Sequence, residues 1–280
     1  MLCLPAFLNL NTKEKKYMLL RISFLILFSA SFFLTIPLTY AQDLLDGVVS
    51  YWSFDADTIA GGTVVDLLGD NDGELDGNPK AVAGKIGDAL EFNGENSVHI
   101  PGTGSLEFAG EGEMSVVAWV NPDSDSPVKG VVAGCCGTIV AQRDVNGWAL
   151  RFDGRNAGQE MEFIVQPGWQ GDGGFGAPKF AKGSWHHLVG VVADDEMFLY
   201  VDGELEKDMT YNGPMATGGS ETEIGHAGDG GFVGIIDEVL IYNRALSADE
   251  VKQIFESKDL LSVQPQGKLA TRWGQIKSAF

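Results

Sequence analysis

The stretch Gly231–Val251, GFVGIIDEVLIYNRALSADEV, sets two acids inside an apolar run. Read as an extended strand over 234–243, its side chains alternate: Ile235, Asp237, Val239 and Ile241 share one face, and Ile236, Glu238, Leu240 and Tyr242 share the other. One carboxylate therefore points with apolar neighbours. A bare carboxylate in a dry interior is costly even after relaxation, so Asp237 has to be neutralised, hydrogen-bonded or set beside a bound cation. Just beyond, the period changes. Ser247 is placed to cap a helix, Glu250 follows three residues on as in a capping box, and Val251, Ile254 and Phe255 recur at helical spacing. One short helix is predicted to close the domain.

Upstream of this strand the chain reads as short apolar or alternating runs: VVSYWSF, DALEF, SVHI, MSVVAWV, GTIVAQ, WALRF, MEFIVQ, HHLVGVV and MFLYV. Asp-Gly pairs at Asp72, Asp76, Asp153, Asp172, Asp202 and Asp229 punctuate them, as tight turns between antiparallel strands require. No helical period precedes residue 247. The pattern predicts an all-β fold, a two-sheet antiparallel jelly-roll sandwich with one short C-terminal helix.

The first residues follow another logic. Lys13, Lys15, Lys16 and Arg21 precede the apolar run ISFLILFSASFFLTIPL, and the small residue Ala41 offers a cleavage site, so residues 1–41 are read as a secretory signal peptide. An uncleaved anchor is the alternative. Residues 42–257 then form the folded domain, and 258–280 a more basic tail. The mature domain is expected outside the cytoplasm, secreted or at the cell surface, without membrane insertion.

Across the chain 39 Asp and Glu outnumber 19 Lys and Arg, a formal net charge of −20. Such a surface repels nucleic acid and anionic membranes and suits divalent cations. Of three cysteines, Cys3 lies in the leader, which leaves the adjacent pair Cys135 and Cys136. Neighbouring cysteines supply neither a loop staple nor a four-ligand zinc spacing. A vicinal disulfide between them is one reading, free thiols or pairing elsewhere the others.

VVSYWSFD at 48–55, VVDLLGDNDGEL at 64–75, GKIGDALEFNG at 84–94, MSVVAWV at 114–120, GSWHHLVGVV at 183–192, LYVDGEL at 199–205 and the opening stretch occur in an order that resembles bacterial laminin-G-like, or concanavalin A-like, jelly-roll domains. The resemblance implies a structural calcium ion between an early segment and the last long strand, with Asp237 as a ligand. Asp55, Asp66 and the carbonyl of Gly94 are further candidates, since calcium takes six to eight oxygens. DLLGDND departs from the commoner small-polar turn of the family at Leu67 and Leu68, which leaves a solvated turn as the alternative for Asp66, Asn71 and Asp72.

No complete catalytic pattern occurs among these residues. Glycoside hydrolysis needs two carboxylates across the scissile bond, and the nearest match to the Glu-x-Asp-x-x-Glu strand motif of laminarinase-like relatives, Glu74–Pro79, lacks its third acid and reads as a turn. Glu160 and Glu162 read as a solvated strand edge. Gly171–Gly176 satisfies a dinucleotide spacing without the strand and helix that spacing serves. Of His186 and His187, one is expected to be buried or hydrogen-bonded and the other exposed. Trp169 and Phe175 lie in the loop QPGWQGDGGFGAPKF, where nothing local explains their burial, and are candidates for contacting a sugar ring. The leading expectation is a non-catalytic module that binds glycans, extracellular matrix or cell-surface proteins. A polysaccharide hydrolase or lyase and a protein adhesion unit without a sugar site are the alternatives.

Overall fold

All the apolar and alternating runs above are strands in the computed structural model, which describes residues 44–261 apart from 103, 124–127, 131–135, 143–146, 155–159, 174–175, 178–181, 217–220, 229 and 259. In chain order the strands are β1 (Val48–Trp52), β2 (Ile59–Ala60), β3 (Thr63–Val64), β4 (Gly73–Asp76), β5 (Lys80–Ala83), β6 (Asp88–Asn93), β7 (Ser97–Pro101), β8 (Glu113–Pro122), β9 (Val128–Gly130) and β10 (Gly137–Gln142). They continue as β11 (Trp148–Asp153), β12 (Glu160–Val165), β13 (Gly176–Ala177), β14 (His186–Ala193), β15 (Glu196–Val201), β16 (Glu204–Thr210), β17 (Glu221–Ile224), β18 (His226–Ala227) and β19 (Gly230–Tyr242). The helix, α1 (Ala248–Glu256), follows.

Two sheets result. Sheet A runs β5–β6–β19–β8–β14–β15–β16, with β1 beside the later half of β19. Sheet B runs β2–β3–β4–β7–β17–β10–β11–β12–β13. The first residues of β19 pair with β9, β10 and β18 of sheet B before the strand passes into sheet A, so one strand ties the layers together. Between them lies one core, to which alternate residues such as Trp52, Leu90, Val116, Leu150, Phe163 and Ile236 contribute. β16 was not legible as a strand because its sequence, ELEKDMT, is polar and mostly exposed, as suits a strand paired on one side only.

The helix is built as its sequence predicts. Ser247 Oγ accepts from the Glu250 amide and the Glu250 carboxylate accepts from the Ser247 amide, closing the capping box. Val251 and Ile254 are buried. Phe255 stacks on Trp119, on the side of sheet A away from the core, with ring centroids 5.6 Å apart.

Strands and helix belong to one unit, Asp46–Asp259. The leader expected over residues 1–41 lies outside the described residues, as does the tail expected over 258–280 except for 258, 260 and 261. Among the described residues no helix is long and apolar enough to cross a membrane.

Candidate functional site

The alternation read for β19 breaks at the two acids. Against β8, Asp237 pairs with Trp119 and the register then shifts before Leu240 pairs with Val117; Glu238 sits in the bulge at φ 51. The extra residue reverses the parity. Ile236, Val239 and Ile241 all enter the core, so Val239 and Ile241 are not on the face of Asp237, as simple alternation had it. Both acids instead leave the core side, and each is buried by a different neighbour. Glu238 accepts from the Tyr51 hydroxyl on β1.

Asp237 lies under the turn that follows β5. Its Oδ2 accepts the amides of Lys85 at 2.8 Å and Ile86 at 3.0 Å, while Oδ1 is buried without a partner. Burial pushes its pKa up to about 7; the amides of Ile86, Lys85 and Glu238 oppose that, and the charge of Asp55 adds to it. Asp55 reaches the same turn, where its Oδ1 accepts the Asp88 amide at 2.9 Å. The turn is glycine at two positions for steric reasons. A Cβ on Gly84 would stand 2.6 Å from Asp237 Oδ2 and 2.8 Å from the Asp88 carbonyl oxygen, and one on Gly87, at φ 58, would stand 2.0 Å from Asp55 Oδ1.

Thus Asp55 and Asp237, 182 residues apart in sequence, converge. The other two residues of the expected calcium set do not join them. Asp66 Oδ1 accepts the amides of Tyr51, Leu68 and Gly69, and its Oδ2 that of Asn71, so this carboxylate organises its own turn and joins it to β1. The Gly94 carbonyl lies against Gly231, six residues along β19 from Asp237, a separation of about 20 Å in an extended strand. A fully buried carboxylate with one oxygen unpartnered, beside a second carboxylate, has the chemistry of a hard-cation site.

On sheet B the loop after β12 folds back over the strands. Trp169, at φ 49, packs on Ala141, Ala149, Ile164 and Ala227, on the side away from the core. Gln166 Oε1 accepts from the Gly168 and Trp169 amides, Gln170 bonds the Asn212 backbone at both ends of its amide, and the Tyr211 hydroxyl donates to the Gln166 carbonyl. The loop is therefore held by side chains on both flanks. Phe175 lies outside the described residues.

Beside Trp169, Arg151 donates to Glu162 Oε2 through Nε at 3.2 Å and Nη2 at 2.9 Å, and also to Asp172. Asp153 lies 3.8 Å from the same guanidinium. Glu162 is fully buried, not a solvated edge; burial raises its pKa to about 7 against the pull of Arg151, and its other oxygen accepts the Gly173 amide. Alternation placed Glu162 on an outer face but contained no sign that a returning loop would cover it.

Two groups of described residues bring acid and imidazole atoms close enough to hold a divalent ion, Asp153–Glu162–Asp172 and His99–Glu221–Glu223. His99 carried no signal by itself, yet cross-strand register sets it opposite Glu223. The histidine pair also differs from expectation, because neither ring is exposed. His186 Nδ1 lies 2.9 Å from Asp202, and His187 is fully buried against Trp119 and Phe255 with neither nitrogen hydrogen-bonded. Cys136 is disulfide-bonded, and Cys135 lies outside the described residues.

A family model, the concanavalin A-like lectin/glucanases superfamily, matches residues 92–252, more than half of the chain. No curated protein matches by sequence. Among solved structures, domain 4 of AbnA, a GH43 extracellular arabinanase of Geobacillus stearothermophilus solved with arabinotriose, superposes with a TM-score of 0.59 at 22% identity, over 75% of this chain and 98% of that one. The binding domain of Paraclostridial Mosquitocidal Protein 1 gives 0.56 at 18% identity, over 76% of this chain and 52% of that one. Trypanosoma rangeli sialidase gives 0.52 at 20% identity, over 76% of this chain and 33% of the enzyme. At these identities the likeness is one of fold.

Proposed function

The chain belongs to the concanavalin A-like lectin/glucanase superfamily, and from that premise we propose that it is an extracytoplasmic, non-catalytic module that binds carbohydrate, with a structural calcium ion at Asp237 and Asp55. The observation that carries the binding reading is Trp169, a half-buried ring held by a braced loop on the outer side of a rigid sheet. A ring so fixed offers an apolar platform to the C–H face of a sugar and loses little conformational freedom on binding. That AbnA domain 4 was solved with arabinotriose, and that the mosquitocidal fragment is a binding domain, supports recognition over chemistry.

The acids beside Trp169 support the non-catalytic reading as well. A glycosidase needs one carboxyl to give a proton to the substrate and another facing it across the bond. Glu162 and Asp153 are fully buried and gathered around Arg151, which suits them to holding the loop.

Calcium, when bound, supplies charge that neutralises Asp237 and Asp55 and a centre for their oxygens. The chain's own part is to bring the strand bulge, the end of β1 and the 84–88 turn together. A glycan array probed at controlled free calcium tests both halves. Binding that falls in the Trp169→Ala variant and weakens with chelator is the expected result; an array silent at every calcium level refutes the carbohydrate reading.

A further inference from the structure

We infer, resting on the carbohydrate reading, that the outer face of sheet B selects uncharged glycans and turns away acidic ones. The basis is a line of residues across six strands. Glu74 opposes His99, His99 opposes Glu223, Glu223 opposes Ala141, Ala141 opposes Ala149, and Ala149 opposes Ile164. Directly opposed residues of antiparallel strands present their side chains to one face. Residues alternating with them, Val98, Ile224, Val140 and Leu150, pack in the core, so the line lies on the far side.

Its two ends differ in chemistry. Trp169 sits over the Ala141, Ala149 and Ile164 end. At the other end His99 stands 3.6 Å from Glu223 and 4.0 Å from Glu221, and Glu74 is exposed. Alanine at 141 and 149, both fully buried, lets the Trp169 ring lie close against the sheet. With strands about 4.8 Å apart, Glu223 is one strand from Ala141 and two from Ala149, so a sugar ring seated on Trp169 brings its hydroxyls within about one ring's length of that carboxylate.

A carboxylate accepts from sugar hydroxyls in charge-assisted hydrogen bonds, which rewards a neutral ligand. A uronate or sialic acid placed there meets like charge from Glu223, Glu221 and Glu74. The basic groups described nearby do not offset this. Arg151 is engaged by Glu162 and Asp172, and the imidazoles of His99 and His226, which both act on Glu223, are outnumbered by Glu74, Glu221 and Glu223. Rejection is therefore built into the strip that the aromatic platform opens onto.

Calorimetric binding of the full chain to arabinotriose, sialyllactose and trigalacturonate tests this. Neutral sugar is expected to bind about three- to tenfold more tightly than either acid at 0.1 M salt, from the repulsion shared among the three glutamates. The ratio should shrink at 1 M salt, where the screening length falls from about 10 Å to about 3 Å. Replacing Glu221 and Glu223 together, Glu221→Gln with Glu223→Gln, keeps acceptors in place and should raise acid binding relative to neutral binding several-fold. Acidic glycans that bind as well as neutral ones through Trp169 overturn this inference and leave the carbohydrate reading standing, as does a ratio indifferent to both salt and the double substitution. Failure to bind any of the three sugars, together with a silent array, removes both.

Discussion

Lowering the pH should destabilise this protein through His187. The ring is fully buried between Trp119, with centroids 5.0 Å apart, and Phe255, at 5.8 Å, and neither nitrogen has a hydrogen-bond partner. Burial depresses its pKa from 6.5 to about 3; the carboxylate of Asp202 works against that and the ammonium of Lys85 adds to it. The folded state thus refuses a proton that the unfolded chain accepts. Between pH 6.5 and 3 the unfolded state binds more protons, so this contribution to stability is fully present above 6.5 and is lost as the pH falls. From pH 7.5 to 5 the loss is about 2 kcal/mol, at about 1.4 kcal/mol per unit below the unfolded pKa. Other groups titrate in the same window. Asp237 and Glu162, each raised to about 7, lose stability in the opposite direction, as the pH rises. A difference measurement removes them: urea unfolding of the wild type and of His187→Leu at pH 7.5 and 5.0, with the variant's pH dependence subtracted from that of the wild type. The remainder should be about 2 kcal/mol, with the wild type losing more. Parallel curves for the two proteins would refute the reasoning and mean that the ring finds a partner or water when protonated.

Other outcomes follow from the same packing. Calcium at a hundredfold excess over its dissociation constant should stabilise the wild type by about 2.7 kcal/mol, and Asp237→Asn should abolish that gain, as read by thermal unfolding with and without calcium. Gly87→Ala puts a methyl 2.0 Å from Asp55 Oδ1 at φ 58, so a loss above about 1 kcal/mol in urea unfolding is expected. Arg151→Met leaves Glu162 and Asp153 buried without their guanidinium and should cost about 3–5 kcal/mol at pH 8 by the same measurement. Ser247→Ala removes the cap of α1 and should cost about 1 kcal/mol, seen as a lower urea midpoint.

What the sequence alone determined is what depends on neighbours along the chain. Alternation with Asp-Gly punctuation is enough to specify antiparallel strands, because the side-chain period of a strand is two and the turn chemistry is local. Ser247, Glu250 and the apolar positions after them are enough to specify the helix, for the same reason. Asp237 was legible as an acid needing a partner, since a carboxylate set in an apolar run has to be compensated whatever the fold. Its partners were not legible. The bulge that turns Asp237 and Glu238 to one side is settled by the register of β19 against β8 and β1, and the arrival of Asp55 at the same turn by its bond to the Asp88 amide, 33 residues on. In the same way Glu162, His187 and His99 looked ordinary until a returning loop, a docked helix and a neighbouring strand covered or faced them. Periodicity says which side of a strand a residue occupies, but only tertiary packing decides what lies above that side, and the energy of a buried polar group is set by what lies above it.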